Sequence, residues 1–220
     1  MKLNLLFVSL IILSSSFCKA QNKEISQNIP EGYVLFSEYY GDLNNDGLED
    51  CVLVVKDTRN VNIVTNKYND DVDRNRRGII ILLNKEFVYE VIVENLDCFS
   101  SENENGGVYF PPQLSFNISN QKLEIHYSHG RYGYWKYIFE YDKYDFNLIG
   151  YESSANSGPV VNYKTSINFL TQKKLISENT NENLEGEVEV FKESWSTINL
   201  DRPIKLSEIK DFQELDMSMF

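Results

Sequence analysis

The chain has 220 residues, 42% of them hydrophobic and 25% charged, and its 33 acidic side chains outnumber 21 basic ones for a formal charge of −12. So acidic a surface gains neither counterion release on nucleic acid nor attraction to anionic lipid, which excludes both as partners. The nucleophile-elbow, zinc-protease, phosphate-loop and dinucleotide signatures are absent as well.

Taken in chain order, residues 1–20 read as a secretory signal peptide: a basic start at Lys2, an apolar run from Leu5 to Leu13, and Ala20 before Gln21. The apolar part is too short to span a bilayer. Cys18 would be the acylated residue of a lipoprotein, but Phe17 stands where a small residue is wanted, so cleavage after Ala20 is preferred. Residues 21–220 are then expected to be one β-rich domain, secreted or periplasmic, with no membrane attachment after cleavage. Cys51 and Cys98 are its only thiols. In an oxidising compartment they form a candidate disulfide, worth about 4 kcal/mol on the chain-entropy model. Cys51 reads equally well as a small hydrophobe opening an apolar strand.

After a polar leader, strands are expected at YVLFSEYY (33–40), CVLVV (51–55), GIIILLN (78–84), FVYEVIVE (87–94), QLSFNIS (113–119), KLEIHYS (122–128), YWKYIFEY (134–141), FNLIGYES (146–153), INFLT (167–171), KKLIS (173–177) and EVEVFKE (187–193). Alternation is clear in Leu114, Phe116 and Ile118 and in Leu123, Ile125 and Tyr127. Short, regularly spaced strands of this kind predict a mainly β antiparallel meander closing as a sandwich, barrel or propeller-like stack. One short C-terminal helix is expected over 208–215, capped by Ser207. Two long polar loops, 57–78 and 98–112, interrupt the rhythm; loops of that length are more often functional or disordered than idle.

The stretch GDLNNDGLEDCVLVV (41–55) carries the chemistry. Asp42, Asn44, Asp46 and Asp50 crowd oxygen ligands into nine residues. A hard cation such as calcium resolves that repulsion, since it takes oxygens from alternate positions of a curled loop. Gly47 permits the sharp turn, and the Leu48 carbonyl supplies a backbone ligand. The twelfth position is Leu53 rather than glutamate, and a strand follows, so this is not an EF-hand. The competing reading is a turn whose Asp and Asn side chains cap backbone amides.

The strand–loop–strand setting, with Gly41 before Asp42, resembles the calcium loops of FG-GAP repeats of integrin-type propellers, here in a single copy over residues 41–55. That resemblance implies Asp42, Asn44, Asp46, Leu48 and Asp50 as ligands of a Ca2+ ion. More loosely, YIFEYDKYDFNLIGYESS (137–154) and INFLT (167–171) are similar to a later β-region in uncharacterised secreted bacterial proteins that carry one such loop. This implies export and a single β-domain.

HYSHGRYGYW (126–135) holds both histidines. Three residues apart on a strand, His126 and His129 face opposite ways, and no third metal ligand stands nearby. Tyr127, Arg131, Tyr132, Tyr134 and Trp135, with Tyr137, form a candidate stacking surface for a glycan or protein ligand. Glu102 with Glu104, or Asp70 with Asp73, can be imagined as an acid–base couple, but chance pairs are expected in so acidic a chain, and the RNRR run (74–77) reads as a charged loop answering its aspartates. The sequence therefore favours a calcium-binding β-domain acting as a non-catalytic binding or interaction module. The alternative is a small secreted hydrolase with its site near His126, His129 and the acidic loops.

Overall fold

The structure is a computed structural model, and it describes residues 25–86, 88–104, 111–181 and 188–220. The expected signal peptide with Cys18 and the Gly106–Gly107 pair lie outside these residues, as do the ends of two expected strands at Phe87 and Glu187.

Two antiparallel sheets face each other. The smaller contains β1 (Tyr33–Gly41), β2 (Asp50–Asp57), β5 (Arg77–Asn84) and β6 (Tyr89–Phe99), in the order β1-β2-β5-β6. The larger runs as an unbroken meander of β7 (Gln113–Ser119), β8 (Lys122–Ser128), β9 (Gly133–Tyr141), β10 (Phe146–Ser157), β11 (Val160–Asn168), β12 (Lys173–Asn179) and β13 (Phe191–Thr197). A two-stranded ribbon, β3 (Ile63–Thr65) and β4 (Asp71–Asp73), gives structure to the first long loop. The architecture is mainly β and antiparallel, as expected; of the closures left open by the sequence, the chain takes two facing sheets, and neither closes into a barrel.

The core follows from side-chain parity. Val52, Val54, Ile79, Ile81 and Leu83 of the smaller sheet pack on Leu123, Ile125, Tyr127, Tyr137, Phe139 and Leu148 of the larger. The other face of β2 and β5 is buried too: Cys51, Leu53, Val55, Ile80 and Leu82 form a second cluster with Ile25 and Tyr89, against which Ile29 and Tyr33 pack. Burial on both faces is why these two strands read as continuous apolar runs whereas β8 alternates.

The C-terminal helix is not formed. Residues 206–219 carry only short 3-10 turns, at Leu206–Glu208 and Met217–Met219. The helix loses because tertiary partners take the groups it needs. Ser207, the expected cap, donates its hydroxyl to Asp145 at 2.5 Å. Asn95 donates to the carbonyls of Leu206 and Ile209, the Phe212 amide donates to Cys98 O, and Tyr137 Oη donates to Phe212 O. The segment instead wedges Phe212 into the core, 5.0 Å from the rings of both Phe99 and Tyr137.

Candidate functional site

The acidic loop hangs from a tight junction between the sheets. A Cβ at Gly41 would stand 2.6 Å from Ile118 Cγ2 of β7, so only glycine lets β1 approach there. Leu43 then plunges into the core, 1% exposed, and Asp50 returns the chain to β2. Asp50 is fully buried and accepts the backbone amides of Leu43 at 2.7 Å and Asn84 at 2.9 Å. Burial raises the Asp50 pKa, and the charges of Asp46 and Asp42 push it the same way, against the two amide bonds.

The remaining loop residues wind about their own side chains. Asp42 accepts the amides of Asn45 and Gly47, Asn44 accepts that of Asp46, and Asp46 accepts that of Leu48. Asn45 and Gly47 take the left-handed backbone, at φ 61° and 83°, that this winding requires. In this conformation no three His, Cys, Asp or Glu side chains among the described residues are set to hold a metal ion. Nor does any ion pair of the described residues engage Asp42, Asp46 or Asp50.

The HYSHGRYGYW segment is split between faces. Tyr127 is fully buried in the core, and Trp135 stands opposite it on the same inner face, 6.1 Å away. Tyr134 and His126 share the outer face, their rings 5.3 Å apart, while Arg131 stacks on Tyr132 at the turn. The expected five-residue stacking surface is therefore not one surface: alternation distributes it over two faces and a turn. The histidines part likewise, since His129 lies beyond the strand end with its ring 4.5 Å from Trp135. Desolvation lowers the pKa of both.

Cys51 and Cys98 are both free and buried, so the candidate disulfide is absent. Cys51 belongs to the outer cluster and Cys98 to the core between the sheets, with β5 standing between their strands. Two strand spacings, about 9.6 Å, already exceed what a disulfide spans. Burial pushes the Cys51 thiol up to about 12.

A charge cluster built on the buried cations Lys56 and Arg77, with part-exposed carboxylates, escaped the sequence reading. Lys56 Nζ lies 2.9 Å from Asp73 and 2.5 Å from Glu102, and Arg77 Nε donates to Ser100 O at 2.9 Å with Glu102 Oε2 at 3.9 Å. Arg77 also stacks on Phe36. Burial works against the Asp73 carboxylate, but the Asn75 amide and Lys56 outweigh it and lower its pKa. So Glu102 and Asp73 answer cations rather than pairing with Glu104 and Asp70, and Arg76 reaches Asp211 at 2.7 Å instead of the neighbouring aspartates. The signal was period two: Lys56 continues the parity of Val52 and Val54, and Arg77 that of Ile79 and Ile81. Beside this cluster, Tyr127 Oη finds no hydrogen-bond partner among the described residues.

The larger sheet outruns the smaller. Its inner face beyond β9 carries a groove of about 320 Å³ whose lining includes Trp135, Tyr151, Ser153, Tyr163, Thr165 and Ile176, together with Lys174 and Met217. Of the expected stacking residues only Trp135 belongs to it. A second hollow of about 340 Å³ follows residues 202–215, but its lining is charged and lacks aromatic rings.

No family model, curated protein or solved structure matches the chain. No helix among the described residues is long and apolar enough to cross a membrane.

Proposed function

We propose that this protein is an exported calcium-stabilised binding module whose 42–50 loop staples β1 to β2 and whose larger sheet presents the ligand face. The observation that carries the reading is the crowding of Asp42, Asp46 and Asp50 at the sheet junction with no protein cation paired to them among the described residues. The donor set suits a hard cation: three carboxylates, the Asn44 carboxamide and the Leu48 carbonyl. A carboxylate offers about four acceptor sites, so Asp42 keeps sites free after accepting two amides. The ion would supply charge neutralisation and loop closure, and Leu43 and Asp50 would transmit that closure to the core. The single-copy resemblance to FG-GAP loops supports the same ligand set.

Binding is favoured over the hydrolase alternative by the histidines. His126 lies against Tyr134 on the outer face, His129 meets Trp135 edge to face, and among the described residues neither histidine meets a carboxylate in an ion pair. The test is a thermal melt of the protein from Gln21 onward in millimolar calcium and in chelator, alongside Asp46→Ala. At calcium about 100-fold above its dissociation constant, wild type gains about 2.7 kcal/mol and the variant does not. Identical melts in both solutions would reduce the loop to a capped turn.

A further inference from the structure

We propose that the groove on the inner face of the larger sheet binds a neutral saccharide chain, an inference that rests on the binding-module reading and gives its ligand a chemical class. Strand register builds the site. Trp135 pairs with Ser153, Ser153 with Thr165, and Thr165 with Ile176, so these four form one row across β9, β10, β11 and β12. Three strand spacings make that row about 14 Å long. Tyr151 and Tyr163 stand two positions before Ser153 and Thr165 on antiparallel strands, which sets their rings on opposite sides of the row. The result is a floor of two hydroxyls between aromatic walls, with Trp135 at one end.

Three features select the ligand. Strands β9 to β12 are hydrogen-bonded on both sides, so the floor has no free backbone ladder for a peptide, which adds to a sheet at its edge. Among the described residues no lining side chain is acidic, and Lys174, the one lining cation among them, donates to Phe220 O at 2.6 Å. An anion would in addition meet a chain of net charge −12. What remains is a neutral molecule with an apolar ring face for the aromatics and hydroxyls for Ser153 and Thr165, which is a sugar. The volume lies at the low end of the range of small-molecule sites, about 300–1,000 Å³.

The experiment follows tryptophan fluorescence in a Trp195→Phe background, which leaves Trp135 as the reporter, since the chain has 2 tryptophans. The probes are maltotriose, cellotriose, xylotriose and chitotriose, with trigalacturonic acid as the anionic control. A saturable response to at least one neutral trisaccharide is expected. Tyr163→Ala, at a half-exposed position that leaves the melt unchanged, should weaken it about tenfold, and Thr165→Val about fivefold. No saturation with any of the four at millimolar sugar overturns the proposal, as does tighter binding of the anionic control. A dimer that Tyr163→Ala dissociates would overturn it too, making the occupant a second copy. Each titration is repeated in chelator. Sugar binding without calcium-dependent melting removes the calcium reading alone, and calcium-dependent melting without sugar binding removes this inference alone.

Discussion

Strands β2 and β12 belong to the same fold and could hardly be more different. Every residue of β2 is buried, with apolar layers on both faces, whereas β12 has none that is fully buried. The contrast shows how the chain divides its labour. The smaller sheet, the acidic loop and the C-terminal wedge lock one end of the larger sheet, and the opposite end is left as an open aromatic surface. A face that the described residues leave uncovered is a face that a ligand is free to cover.

The sharpest way to break this contrast is to hollow both regions. Ile81→Ala, in the core, should cost about 2–5 kcal/mol in urea denaturation, while Ile176→Ala should fall within about 0.5 kcal/mol of wild type. Equal losses would mean that the groove end is as load-sharing as the core. Next in size is Lys56→Met, which leaves Asp73 and Glu102 without their shared cation and should cost about 1.5–3 kcal/mol by the same measurement. Asp73 also fixes the acid response. Its folded pKa is lowered, so its contribution is present above the ordinary carboxylate range and is lost as pH falls through the folded value.

The calcium increment should depend on pH in a direction that Asp50 sets. Its folded pKa is raised by burial, so in chelator its contribution is present at low pH and lost as pH rises through the raised value. A bound cation needs the carboxylate ionised. The gap between calcium and chelator melts should therefore narrow as pH falls through the raised Asp50 value, and a gap that widens on acidification would remove Asp50 from the ligand set. The smallest expected effect is that of Tyr127→Phe. It deletes a hydroxyl that has no partner among the described residues, so denaturation should move by less than about 1 kcal/mol, and towards greater stability.

The same contrast explains what could be read from the chain. Alternation in β8 and unbroken apolar runs in β2 and β5 announced those strands, because burial imprints a period on sequence. Strand β11 was seen only from Ile167 onward, since Tyr163, Lys164 and Ser166 are exposed and carry no such period. The ribbon of β3 and β4 was missed for the same reason. The stretch EIKDFQEL looked helical from its local pattern, but its fate was decided by Asn95, Cys98, Tyr137 and Asp145, all distant along the chain. In the acidic loop the sequence spacing identified the crowded oxygens, while the role of Asp50 as anchor for the amides of Leu43 and Asn84 needed the register of β2 against β5.

The C-terminal wedge has a consequence for biosynthesis. Phe212 touches Phe99, Tyr127, Tyr137 and Phe139, so rings contributed by both sheets have no complete packing until residue 212 has been made. A nascent chain halted before that point holds its strands but not its seal, and should remain sensitive to protease. The protein thus carries a built-in delay between making its sheets and committing to them, so the sheets stay pliable until the last residues of the chain arrive.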